Sequence, residues 1–200
     1  MNRIPEKKEF ARMCELYAEW NGKINVVSRK DIDNLFEHHI LHSLAIHKYM
    51  EDRGLLAEGL EILDLGTGGG FPGIPLASVM LSCHFTLCDS IGKKVRVAQA
   101  VADGLGLTNV SCVNARAETL PGPFDWVVSR AVTSLDAFYP WVKGKFSKGI
   151  LYLKGGDVAS EIAEMCAKCK VDPSKVSVWP INDWLKDDYF AEKFVIEIRK

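Results

Sequence analysis

From residue 61 onward the chain alternates short strand-like runs with longer helical ones, and this alternation constrains the fold more than any other feature. Strand patterns occupy 61–65, 84–89, 110–114, 125–129 and 150–154. Helical periodicity fills most of the intervals, at 74–80, 93–103 and 135–146, with Gly104 and Gly106 placed to end the second of these. A chain that returns through a helix lays its next strand parallel to the last, so the pattern predicts an α/β fold: a mostly parallel sheet with helices on both faces. A helix over 158–168 precedes two last strand patterns, at 175–179 and 193–199, joined by a connection with little helical signal. That direct link predicts an antiparallel hairpin at the sheet edge, with the last of seven strands reversed.

Upstream, Phe10, Met13, Cys14, Tyr17 and Trp20 recur at three- and four-residue steps. So do Ile32, Leu35, Phe36, Ile40 and Leu44, following a possible N-cap at Asp31. Two amphipathic helices are therefore expected before the first strand, dividing the chain into an N-terminal helical cap (1–58) and an α/β domain (59–200) that form one compact unit. With 48% hydrophobic residues and mean hydropathy near zero, the chain can bury a core. Neither a signal-peptide pattern nor an apolar run long enough for a bilayer is apparent, which leads to an expected cytoplasmic location with no membrane partner. The same compartment makes the six cysteines reduced thiols, including Cys166 and Cys169, whose single CxxC pair lacks the four ligands zinc prefers. Basic and acidic residues nearly cancel, 25 against 26, so any polyanionic partner must be met by a local basic patch.

The chemistry is concentrated where the first strand ends, in Asp64-Leu65-Gly66-Thr67-Gly68-Gly69-Gly70-Phe71-Pro72-Gly73. Glycines here let the backbone turn sharply and lie close against a ligand. In open α/β sheets ligands bind at the carboxyl ends of the strands, where strand order reverses. Asp89, ending the second strand, is placed to accept hydrogen bonds from two ribose hydroxyls. Gly68-x-Gly70-x-x-Gly73 formally satisfies a dinucleotide fingerprint, but Asp64 stands at the strand end two residues before Gly66. A carboxylate there repels a pyrophosphate and suits the cationic amino-acid end of S-adenosyl-L-methionine. Asn114 to Glu118 follow the third strand, where an adenine-binding loop is expected. Ser129-Arg130-Ala131 follow the fourth, where a methyl acceptor is met. That loop has neither the Asn/Asp-Pro-Pro-aromatic motif used for exocyclic amines nor the Pro-Cys nucleophile used for pyrimidine C5. Guanine N7 needs neither, since its in-plane lone pair can attack a sulfonium methyl directly when proximity and orientation are supplied. Arg130 could steer phosphate or hold the cofactor; the plain alternative is a salt bridge to Asp125 or Asp136.

The chain resembles the glucose-inhibited division protein B family, the ribosomal RNA small subunit methyltransferase G enzymes. The resemblance runs in order through Trp20-Asn21, Asn25-Val26-Val27-Ser28, His39-Ile40-Leu41-His42-Ser43, the loop from Asp64 to Pro75, Asp89-Ser90-x-Gly92-Lys93-Lys94, Phe124-Asp125, Ser129-Arg130-Ala131 and Lys154-Gly155. It implies a class I (Rossmann-like) methyltransferase fold and an enzyme that forms 7-methylguanosine in a decoding-region loop of 16S rRNA, in the small ribosomal subunit. Matched position by position, Gly66, Phe71, Ala117, Glu118 and Arg130 are implied to contact S-adenosyl-L-methionine. Asp64, Gly68, Gly70 and Asp89 join them from the loop argument, and Arg130 is also the candidate catalytic residue. Two departures stand out: His42 where the family commonly has Asp in His-x-x-Asp-Ser, and Asn25-Val26-Val27 where it commonly has Asn-Leu-Thr. His38, His39 and His42 are expected to form a polar helix face or a substrate contact, without metal. Arg29 with Lys30, Lys93 with Lys94 and Arg96, and Lys143 with Lys145 and Lys148 are candidates for a phosphate-binding rim. Of these, Arg29, Lys93 and Lys94 are the expected RNA contacts, and the enzyme is expected to act as a monomer.

Overall fold

The computed structural model describes residues 3–28 and 30–200. Seven strands form one sheet in the order β3-β2-β1-β4-β5-β7-β6. They are β1 (Glu61–Leu65), β2 (His84–Asp89), β3 (Val110–Asn114), β4 (Phe124–Arg130), β5 (Phe146–Gly155), β6 (Val176–Pro180) and β7 (Lys193–Arg199). β1 to β5 pair in parallel, while β7 is antiparallel to both β5 and β6 and is inserted between them. Strand order reverses between β1 and β4, which makes the carboxyl ends of those two strands the topological switch point.

Strand side chains alternate between two buried layers. Ile62, Phe85, Leu87, Trp126, Val128, Leu151 and Leu153 face one core, and Leu63, Cys88, Val127, Ile150 and Tyr152 the other. The first core is covered by α2 (His42–Asp52), α3 (Gly73–Val79) and α4 (Gly92–Gly104), with α1 (Ala11–Asn21) packed on α4. The second is covered by α5 (Leu135–Val142) and α6 (Val158–Cys169), which pack on each other. Phe10, Met13, Leu16 and Tyr17 belong to the same buried cluster as Ile62 and Leu87, so the N-terminal segment shares the sheet's core.

Three expectations are corrected. α5 ends at Val142 rather than at 146: Gly144 turns the chain at φ +84°, and Phe146 enters the core as the first residue of a longer β5. Asp31 stands at the N-cap position of the 3-10 turn but its side chain makes no capping hydrogen bond; its carboxylate is taken by His38 and His39. The second helical stretch enters through a 3-10 turn (Ile32–Asn34) and a π turn (Phe36–Leu41) before α2. No helix among the described residues is long and apolar enough to cross a membrane.

Candidate active site

β1 ends on the first core's side with Asp64, whose side chain is fully buried. Its Oδ2 accepts from the Thr67 hydroxyl (2.6 Å) and the Gly73 amide (2.7 Å), tying the strand end to the start of α3 and closing the glycine loop between them. Oδ1 is buried with no hydrogen-bond partner. Burial pushes the Asp64 carboxyl up to about 7, against the pull of those two hydrogen bonds and of the Arg130 charge. Gly66 (φ +74°) and Gly68 (φ +57°) adopt left-handed conformations that disfavour a side chain. A Cβ on Gly68 would meet nothing within 4 Å, which leaves that stretch of backbone bare. The Gly68 amide donates to Asp89 Oδ2 (2.9 Å), and Asp89 Oδ1 accepts from the Ile91 amide (2.8 Å), so the ends of β1 and β2 are locked together.

Above these strand ends lies a cavity of about 580 Å³, within the size range of small-molecule and cofactor pockets. Gly66, Gly68 and Asp89 line it from β1 and β2, and Lys94 from the first turn of α4. Ala117 and Glu118, on the short turn after β3, line it from a second side, and Arg130 from the end of β4. Asp64, Gly70 and Phe71 lie outside the lining and support it. Gly70 leaves room for Ile74 and the Tyr17 hydroxyl, each 2.6 Å from where a Cβ would stand. The Phe71 ring stacks on Tyr17 (4.5 Å between centroids) and carries the Arg130 guanidinium 5.0 Å from its centre. Lys93 is exposed on α4 beside Lys94, and Arg29 lies outside the described residues.

Arg130 is not engaged by the acids expected in the plain alternative. Asp125 pairs with Lys148 and Asp136 with Lys168, while the Arg130 guanidinium reaches His39 Nδ1 at 3.0 Å. Lys143, Lys145 and Lys148 do not join the rim. They lie at or just before the start of β5, at the amino ends of the parallel strands, and Lys145 Nζ is spent on the Leu120 carbonyl. His42 is buried rather than on a polar face, with its ring edge-on to Phe190 and burial holding its pKa well below the ordinary range.

Several contributors escaped the sequence. Ile91, Val132 and Trp141 are exposed apolar side chains that line the cavity. Ile91 and Val132 each stand two residues beyond an identified site residue, and that adjacency was the available signal. Tyr152, buried in β5, gave none. Its hydroxyl accepts from the Val132 amide (2.9 Å) and the Thr133 amide (3.2 Å) and donates to the Thr133 carbonyl (2.9 Å). It thereby fixes the loop after Arg130, where Ala131 takes a left-handed φ of +47°.

A mostly parallel seven-stranded sheet with one reversed strand, carrying a glycine loop after β1 and an acid at the end of β2, defines the class I, Rossmann-like methyltransferase fold. Its solved likenesses include magnesium protoporphyrin IX methyltransferase from Synechocystis PCC 6803 with bound S-adenosylmethionine, at TM-score 0.67 and 14% identity over the whole of both chains. A family model described as GidB, rRNA small subunit methyltransferase G, matches residues 6–183, and the chain belongs to that family. Similar curated relatives, each named ribosomal RNA small subunit methyltransferase G, include one from Christiangramia forsetii, 47% identical over 94% of this chain and 87% of the relative. Another, from Flavobacterium psychrophilum, is 44% identical over 95% and 89%.

Proposed function

We propose that the chain is an S-adenosylmethionine-dependent methyltransferase that forms 7-methylguanosine at a loop guanine of 16S rRNA in the small ribosomal subunit, acting as a monomer. The observation that carries this reading is the convergence of Gly66, Gly68, Asp89, Ala117, Glu118 and Arg130 on one cavity at the strand-order reversal, in a member of the small subunit methyltransferase G family.

The residues present fit the methyl donor. Bare backbone at Gly68 admits a nucleoside, and Asp89 offers carboxylate lone pairs at the cavity wall for ribose hydroxyls. Asp64 carries an unpartnered buried acceptor beside the loop that would face the amino-acid end. Ala117 and Glu118 are the adenine-side contacts, while Gly70 and Phe71 shape the support beneath. When bound, S-adenosylmethionine would supply an electrophilic sulfonium methyl for the in-plane lone pair of guanine N7, with the sulfur as leaving group. N7 carries no proton, so this chain needs no general base; its work is to hold the two partners in line and keep them from drifting apart. Arg130, half-buried and carried by the Phe71 ring, is the positive group nearest the exit of β4 and orients the donor or the incoming nucleotide. Lys94 at the cavity and Lys93 outside it are assigned to RNA phosphates.

Labelled methyl transfer to small subunits lacking the modification, followed by chemical cleavage at 7-methylguanosine, tests the assignment. One cleavage in the decoding-region loop, lost in Arg130→Ala, is the expected result. Tight donor binding with no transfer to rRNA or subunits would refute it.

A further inference from the structure

The N-terminal segment meets Arg130, a residue of the cavity wall, through the His39 side chain. His39 sits in the π turn, at the first core's edge of the sheet, with its ring tilted against Phe71 at 5.2 Å between centroids. Its two nitrogens have different partners: Nδ1 lies 3.0 Å from the Arg130 guanidinium, and Nε2 lies 2.5 Å from Asp31 Oδ2. The other Asp31 oxygen meets His38 Nδ1 at 2.5 Å. A guanidinium can only donate, so His39 Nδ1 must be the acceptor, and the ring must be neutral with its one proton on Nε2. Asp31, an acceptor, fixes that tautomer from the far side. Burial and the Arg130 charge agree, lowering the His39 pKa to about 4 despite the carboxylate. π turns widen a helix by one residue and recur at functional sites. Here the turn sets His38 and His39 on the same carboxylate, an arrangement that consecutive residues on a regular helix, pointing about 100° apart, would not readily reach.

We infer that His39, fixed in one neutral tautomer by Asp31, is a positioning residue that holds the Arg130 guanidinium at the methyl-donor cavity, so that residues 31–39 are part of the transfer site. The inference rests on the proposed role of Arg130. The hydrogen bond aims Arg130 across the Phe71 ring and leaves its remaining N–H groups for a carboxylate or phosphate at the cavity. Without it the guanidinium keeps the ring beneath it and loses its direction.

Three substitutions separate the two halves of the relay. In His39→Asn the amide oxygen falls near the position of Nδ1 and can still accept from Arg130. In His39→Gln the longer amide reaches toward Asp31 and leaves Arg130 without its acceptor. His39→Ala lacks both. Calorimetric affinity for S-adenosylhomocysteine and methyl transfer to unmodified subunits are measured on each, with circular dichroism as the folding control. Losing a hydrogen bond to a charged group corresponds to roughly 10- to 100-fold. His39→Gln and His39→Ala are therefore expected to lose about 10-fold or more in affinity or in kcat/KM, and His39→Asn to recover to within about 3-fold of the native protein. Equal behaviour of the Asn and Gln variants would overturn the inference, as would full activity in all three. Should His39→Ala fail to fold, the Asn and Gln pair decides alone. Arg130→Ala distinguishes the levels: if it binds and transfers normally, the role given to Arg130 fails first and the positioning role falls with it.

Discussion

Replacing Asp64 with Asn separates what this carboxylate does for the fold from what it does for the ligand. Oδ2 holds the Thr67 hydroxyl and the Gly73 amide, and an Asn amide oxygen can hold both in the same geometry. The change removes the buried charge and little else. The folded carboxyl titrates at about 7 because of burial, against a reference value of 3.8. The sign follows directly. Between those two values the folded state keeps a proton that the unfolded state has released, so native stability falls as pH rises and levels off above 7. From pH 5 to pH 8 the loss integrates to about 3 kcal/mol, which in a domain of this size is roughly 6–12 °C in Tm. Asp64→Asn has no such proton to lose. The difference in unfolding free energy between the variant and the native protein, measured by urea denaturation in steps from pH 5 to 8, should therefore grow by about 3 kcal/mol in the variant's favour. Histidine titrations common to both proteins cancel in the difference. The variant should at the same time bind S-adenosylmethionine about 10-fold or more weakly, as expected when a charged partner is replaced by a neutral one. Asp64→Ala, which also lacks that proton, should show the same drift with pH but lie about 2–5 kcal/mol below Asp64→Asn throughout, because it strands a buried amide and a hydroxyl together. A pH-independent difference between native protein and Asp64→Asn would refute the account of Asp64 as a desolvated carboxylate. Unchanged donor affinity would remove it from the binding site.

Gly66→Ala places a methyl 2.3 Å from Val132 Cγ2 at a left-handed φ, so it should cost about 2–4 kcal/mol by chemical denaturation, of which Val132→Ala in the same chain should recover the overpacking part, about 1–3 kcal/mol. Additive single effects in that double-mutant cycle would show that the contact is not what excludes a side chain. Tyr152→Phe removes a hydroxyl that serves two amides and one carbonyl of the loop after Arg130. It should destabilise by about 1–3 kcal/mol and lower kcat/KM for subunits; an unaltered kcat/KM would mean that the loop is held without it. Lys94→Glu should raise the KM for subunits and flatten the dependence of binding on salt by about one unit of logarithmic slope, measured by filter binding, whereas Lys145→Glu, at the other end of the sheet, should leave that slope alone.

The sheet was legible because its strands announce themselves as short apolar runs punctuated by turns; β1 and β2 in the buried centre and β3 at the half-buried edge all fall where the pattern puts them. The place where the pattern failed has a local cause. Phe138, Val142 and Phe146 recur at four-residue steps and extend the apparent helix, but Gly144 at φ +84° ends it and turns the same Phe146 into a strand residue of the same core. The site divides along a similar line. Gly68 and Asp89 were named because a ligand at strand ends requires bare backbone and a charged tip there, whereas Gly66, Ala117, Glu118 and Arg130 were named through matched family positions; all six line the cavity.

What escaped depends on partners distant in sequence. Tyr152 lies in an apolar strand run, and its hydroxyl matters only because the loop after β4 folds back over it. His39 and Arg130 are separated by 91 positions, and the π turn shifts the helical phase so that regular spacing assigns the histidines to the wrong neighbours. Asp64 is the most instructive residue. Its position at the strand end made it a ligand-facing acid by analogy, yet strand parity puts it with Ile62, on the side where α3 begins. The same carboxylate therefore closes the loop and leaves one acceptor unpaired beside it. A polar group buried at that cost and only half satisfied is a stability penalty the fold carries, and under the proposed function a ligand's positive charge is what would offset it.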